Sequence, residues 1–203
     1  MRGVRQRTVS ERDLERMNIG RRYWQAVLSD LPDAPYKRLL MKYVADHESI
    51  AEGWGLFLWG NNGVGKTHAV AAVLKVLFSL GYSTYCVPAD RLRTVYIDGA
   101  KFDREQSVVE RVEHVQVLLI EDLGKEYVGR GSGWAELCFE NLLRLRVREK
   151  RPTLITTNLT PKEFEGRFKQ SAMSLLRESL IPCNVLGGDI RKEIGAAKLK
   201  EYT

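Results

Sequence analysis

Two short stretches carry residue types that could do phosphate chemistry. The first, GNNGVGKT at residues 60–67, fills every position of GxxxxGK[ST] at Gly60, Gly65, Lys66 and Thr67. Glycines there let backbone N–H groups turn inward around a β-phosphate, and a helix starting at that point adds a favourable dipole. The cradle runs through Asn61, Asn62, Gly63, Val64 and Gly65 to Lys66, Thr67 and His68. Lys66 is placed to neutralise β- and γ-oxygens, and the Thr67 hydroxyl to ligate magnesium. The expected ligands are ATP and Mg2+. The second stretch, VLLIED at 117–122, is four apolar residues followed by Glu121 and Asp122. A nucleotide site of this kind needs a second strand that ends in a carboxylate beside the magnesium. A third run, TLITTN, ends in Asn158, a polar tip suited to orienting water near a γ-phosphate. Standing alone, Asn158 would read as a turn residue after a strand.

Positioning these groups requires strands that end together. Apolar, β-prone runs occur at 54–60, 82–88, 115–122, 153–158 and 181–187. Helical patterns lie between them, near 66–80, 89–97, 104–113, 134–149 and 161–179. Near-continuous apolar strands alternating with helices predict an α/β fold with a five-stranded parallel sheet covered on both faces. Upstream, Ser10 and Asp13 have the spacing of a helix cap with its reciprocal acid, opening a short helix to about Met17. Residues 1–9 read as a mobile basic arm. Pro32 and Pro35 mark a turn, after which Leu39, Leu40, Tyr43, Val44, His47 and Ile50 recur at helical spacing until Gly53. The expected organisation is a basic N-terminal arm with a short helix over 1–18 and one ATPase domain over 19–203.

The net charge of +6 fits a polyanionic partner, and 44% hydrophobic content is globular. No apolar run reaches the length of a membrane span, and the first residues have arginines without an apolar stretch after them. Cys86, Cys138 and Cys183 stand apart without metal-ligand spacing. Together these features suit a cytoplasmic protein.

The chain resembles the AAA+ ATPases of bacterial helicase loaders (DnaC and DnaI) and the transposition ATPase IstB. The resemblance runs from about Ile19 to Arg191 and is carried by IGRRYW, GNNGVGKTHAV, LLIEDLGKE, RVREKRPTLITTNL and VLGGDIR. It implies a P-loop NTPase sandwich of three layers with a minimal or absent C-terminal lid. It also implies that Glu121 is the magnesium-side acid, Asp122 the catalytic acid and Asn158 the sensor of the γ-phosphate. That family commonly has two aspartates here, so Glu121 departs by one methylene. The expectation is a working but slow ATPase.

Ring-forming relatives complete each site with an arginine from a neighbouring subunit. The resemblance puts Leu175 at that place, in MSLLRES, with Arg177 and Arg167 as the nearest substitutes. Arg177 reads equally as a solvated helix arginine beside Glu178. Arg146 matches a family arginine or is an exposed pair former, and Arg191 matches the family's terminal arginine. Helix 134–149 is expected to bury Trp134, Leu137, Cys138, Leu142 and Leu145. Arg144 and Arg148 share another face of it, and Glu140 is a possible partner for Arg144. A second basic group, Arg91, Arg93, Lys101 and Arg104, falls in the segment that faces single-stranded DNA in the loaders. Phosphate tracking needs only charge, and the plain alternative is a solvated helix face.

Loaders usually carry a helicase-binding domain before the ATPase, whereas only residues 1–18 precede it here. The expected role is a helicase-loader-like factor in DNA replication that binds single-stranded DNA and self-assembles with ATP, its partner a replicative helicase or a transposase. The alternatives are an IstB-like transposition regulator and a nucleotide-gated DNA-binding scaffold with little hydrolysis. A small-molecule kinase has no role for ITTN or DLG.

Overall fold

Strands that bury both faces need helices on both sides, and the sequence supplies them in alternation. The computed structural model describes residues 7–98, 103–124, 132–168, 170–190, 192 and 199. Its helices and strands, in chain order, are α1 (Glu11–Arg16), α2 (Pro35–Ala45), α3 (His47–Ala51), β1 (Gly55–Trp59), α4 (Lys66–Ser79), β2 (Thr84–Pro88), α5 (Ala89–Asp98), α6 (Asp103–His114), β3 (Val117–Glu121), α7 (Ser132–Arg148), β4 (Thr153–Thr157), α8 (Pro161–Glu165), α9 (Gln170–Ser179) and β5 (Leu180–Asn184). The strands form one sheet of order β2-β3-β4-β1-β5, parallel at every pairing.

Alternation along each strand divides the core. Val117 and Leu119 of β3 join Leu56, Leu58, Cys86 and Leu154 under α1 to α4. Leu118 and Ile120 join Val87 and Ile155 under α5 to α9. The result is the expected three-layer α/β sandwich. It brings the C-terminal ends of β1, β3 and β4 side by side.

Several local expectations need correction. The periodic run over 39–50 is two helices, because Asp46 (φ −91°, ψ 77°) leaves helical geometry and accepts a hydrogen bond from Ser49 N as the cap of α3. The segment 161–179 is also two helices, since α8 ends at Gly166. In α7 the buried stripe is Phe139, Leu142, Leu143 and Arg146, while Leu137 is 46% exposed. The stripe is thus rotated from the expected one; Trp134's side chain lies outside the described set.

Residues 7–9 do not extend as an arm. The Arg7 guanidinium pairs with Asp13 at 3.2 Å and lies 5.0 Å from the centre of the Phe78 ring, and Arg7 N donates to Ser79 O. Val9, Leu14 and Met17 pack into the same core as α4. Ser10 and Asp13 form the reciprocal cap that their spacing predicts.

Candidate nucleotide site

The loop 60–65 joins β1 to α4 and owes its path to glycine. Gly63 (φ 81°) and Gly65 (φ 94°) occupy left-handed conformations that a side chain would strain. Space is also closed: a Cβ on Gly63 would lie 1.9 Å from Asp189 Oδ1, and one on Gly65 would lie 3.3 Å from Ile190 Cδ1. Residues 185–190 of the closing motif therefore strap the loop. Val185 N donates to Trp59 O and Ile190 N to Gly63 O. Gly65 stands at the N-cap of α4, so the first N–H groups of that helix open at the loop.

The helix is anchored from behind. Half-buried Lys75 donates to the carbonyls of Trp24 and Ala26, and Trp24 Nε1 donates to Ile19 O. IGRRYW is thereby tied to α4. Burial lowers the Lys75 pKa.

Lys66 is 5% exposed and its ammonium donates to Gly60 O, Asn61 O and Asn158 Oδ1 at 2.9, 2.8 and 2.7 Å. Asn158 Nδ2 in turn donates to Asp122 Oδ1 over a long 3.5 Å. The carboxamide thus turns its oxygen to the cation and its nitrogen to the carboxylate. Glu121 Oε2 accepts from Cys86 Sγ at 3.2 Å, and the Thr67 hydroxyl approaches the same carboxylate. Burial raises the Glu121 pKa, the Cys86 and Thr67 contacts oppose that rise, and the Asp122 charge adds to it. The two acids separate because Asp122 takes φ 55°, a conformation that aspartate tolerates better than most residues.

Each residue of TTN has a task at this turn. Thr156 Oγ1 accepts from Asp122 N at 3.0 Å, and the Thr157 hydroxyl donates to Leu123 O at 2.7 Å. Arg167 closes the turn from the other side by donating to the Gly124 carbonyl. Thr156, Thr157, Cys86 and Asp189 are parts of the site that the sequence reading passed over. ITTN and VLGGDIR were visible as motifs, but nothing showed which chain they would face.

The donor set fits a nucleotide with its metal. A loop with glycine at 60, 63 and 65, a helix N-terminus, an ammonium, and a hydroxyl beside a carboxylate meet at one end of the sheet. No membrane-spanning helix occurs among the described residues.

The arginines have different fates. Arg146 is fully buried, and its guanidinium donates to Thr153 Oγ1 and to the carbonyls of Val112, Val115, Gln116 and Pro152 at 2.8–3.1 Å. It joins the beginnings of β3 and β4, at the opposite end of the sheet from Lys66, and is not an exposed pair former. Arg177 pairs with Glu165 at 2.5 Å, not with Glu178. Both line an apolar pocket of about 220 Å³ with Phe57, Phe164, Met173 and Leu176, which contains none of the phosphate-loop residues. Leu175 packs partly buried against the α8–α9 side of the core.

Of the first basic group, Arg91 is exposed on α5, Arg93 is in the same helix and Arg104 is in α6. Lys101 and Arg191 lie outside the described residues. The second group is engaged: Arg144 with Glu140 at 2.6 Å, Arg148 with Glu149 at 3.0 Å and Lys150 with Glu52 at 2.9 Å.

Comparison with known proteins agrees with this geometry. Residues 32–182 match the family described as IstB-like ATP binding protein. The replicative helicase loader DnaI of Bacillus subtilis (strain 168) is 25% identical over 158 residues, covering 75% of this chain and 49% of DnaI. The chain thus spans about half the length of that curated relative. The structure of the DnaC helicase loader matches with a TM-score of 0.70 at 23% identity, over 82% of this chain and 100% of that one. The replication initiator DnaA bound to AMPPCP and single-stranded DNA matches with a TM-score of 0.66 at 18% identity, over 91% and 56%. At these identities the two structures speak for the fold alone. The family match covers well over half of the sequence, and its phosphate loop, acid strand and polar strand tip meet at one place. The chain belongs to the family described as IstB-like ATP binding protein, and it has the fold of the DnaC helicase loader.

Proposed function

We propose that the protein binds ATP with Mg2+ at the end of β1, β3 and β4, hydrolyses it slowly, and uses the bound nucleotide to assemble on single-stranded DNA as a helicase-loader-like replication factor. The observation that carries the reading is the chain Lys66–Asn158–Asp122 beside the Thr67–Glu121 pair. Thr67 and Glu121 would hold the metal, which when bound supplies positive charge to the β- and γ-phosphate oxygens. Lys66 supplies a further charge. Asn158 orients the attacking water, and Asp122 accepts its proton. Arg177 is the proposed arginine offered to a neighbouring copy, since Leu175 has no charge to give. Its partner Glu165 would be released on assembly. Arg91, Arg93, Lys101 and Arg104 are the proposed DNA-backbone contacts. The name of the DnaI relative supports the loader role, and the DnaA complex gives an example of this fold with a nucleotide and single-stranded DNA.

The family match keeps a second reading open, a transposition regulator whose partner is a transposase. Calorimetry of ATP binding with Mg2+ tests the common core. Lys66→Ala should lower affinity by at least tenfold, and unchanged affinity would remove the phosphate-loop assignment. Pull-down from the native host, with Lys66→Ala as control, separates the partners: a helicase supports the loader role, and a transposase replaces it with the second reading.

A further inference from the structure

Cys86 is 3% exposed on β2, and three of its groups have defined partners. Its N–H donates to Met17 O at 2.8 Å, and its carbonyl accepts from Asn18 Nδ2 at 2.8 Å. Its thiol donates to Glu121 Oε2 at 3.2 Å. The register explains the last contact. Cys86 lies opposite Leu119 and Pro88 opposite Glu121, so Cys86 and Glu121 are diagonal neighbours on the α4 face of the sheet. Thr67, at the start of α4, approaches the same carboxylate.

A glutamate side chain has three torsions, and a half-buried carboxylate without fixed donors would sample several of them. Here the Cys86 thiol donates to it from β2 at 3.2 Å, and Thr67 approaches it from the start of α4. The backbone of Cys86 cannot drift, because β2 is at the margin of the sheet and residues 17–18 clasp it on the side away from β3. We propose that Cys86 is a positioning residue for the magnesium-side acid, its thiol holding the Glu121 carboxylate against Thr67. The thiol contact alone depends on the side chain, since any residue at 86 would supply the two backbone bonds.

The proposal rests on the nucleotide–magnesium reading above, and its test separates the two. The affinity of a non-hydrolysable ATP analogue is measured by calorimetry in Mg2+ and in EDTA, and the ratio reports what the metal adds. Cys86→Ala and Cys86→Ser remove nearly the same volume and differ in the donor. Cys86→Ala should reduce the ratio by about two- to tenfold, the range for one lost hydrogen bond, with affinity in EDTA unchanged. Cys86→Ser should retain most of the wild-type ratio. Cys86→Val, which keeps the core filled without a donor, replaces Cys86→Ala if that variant does not fold. A wild-type ratio in the donor-free variant, or equal losses in alanine and serine, overturns the proposal. A wild-type protein whose affinity ignores Mg2+ overturns the metal-site reading itself.

Discussion

Lys66 and Asn158 are 92 residues apart in the sequence and 2.7 Å apart in space, joined ammonium to carboxamide oxygen. The contact ties the phosphate loop to the tip of β4, and Asn158 passes the link on to Asp122. Cradle and acid are therefore one hydrogen-bonded unit.

Asp122→Asn should keep ATP affinity and lose turnover by about 10²–10⁴, since a carboxamide cannot take the proton of the attacking water. Phosphate release read beside calorimetry checks this. Wild-type turnover would transfer the role to Glu121.

Arg146→Met removes the guanidinium and takes a donor from the carbonyls of Val112, Val115 and Gln116 and from the Thr153 hydroxyl, while Pro152 O keeps the Leu118 N–H. Buried acceptors left unpaired cost about 1–3 kcal/mol each before relaxation, so the total loss should exceed about 3 kcal/mol. Urea unfolding measures it. A loss under 1 kcal/mol would mean that water reaches those carbonyls.

Asp13 has its pKa lowered, first by the Ser10 hydroxyl, then by the Ser10 backbone N–H, with Arg7 adding to the effect and desolvation opposing it. A depressed folded value means stability that is present above the ordinary 3.8 and lost as pH falls through the folded value below it. Asp13→Asn should therefore melt lower than wild type at pH 7, and the gap should close only below pH 3.8. A gap independent of pH would show that charge has no part in this cap.

Replacing Arg91, Arg93, Lys101 and Arg104 with alanine should weaken single-stranded DNA binding and flatten its salt dependence. Each lost phosphate contact removes about 0.7 from the log–log slope, so the full set removes up to about 3. Fluorescence anisotropy across a salt series reads the slope. An unchanged slope would place the DNA elsewhere, and Arg144 and Arg148 already spend their charge on Glu140 and Glu149.

Patterns that depend on neighbours in sequence were legible. The five apolar runs and the phosphate loop follow from local periodicity and glycine placement, which is why strands and cradle appear where they were expected. Arg146 was not legible. A cation inside a helix ordinarily points to water, and only acceptors from residues 112, 115, 116, 152 and 153 make its burial tolerable. Thr156 and Thr157 read as β-branched strand formers, and their hydroxyl partners belong to another strand's exit. The helix break at Asp46 was hidden because the apolar spacing continues across it. Only the competition of its side chain for Ser49 N ends α2 there.

The strap over the phosphate loop joins the path of the chain after β5 to the shape of the cradle. Its two backbone bonds, Val185 to Trp59 and Ile190 to Gly63, bracket the loop between the exit of β1 and the start of α4. Any conformation of the loop that grips phosphate more tightly must, by reciprocity, alter how firmly that strap is seated. The seating of residues 185–190 and the conformation of the phosphate loop are thus coupled through Gly63.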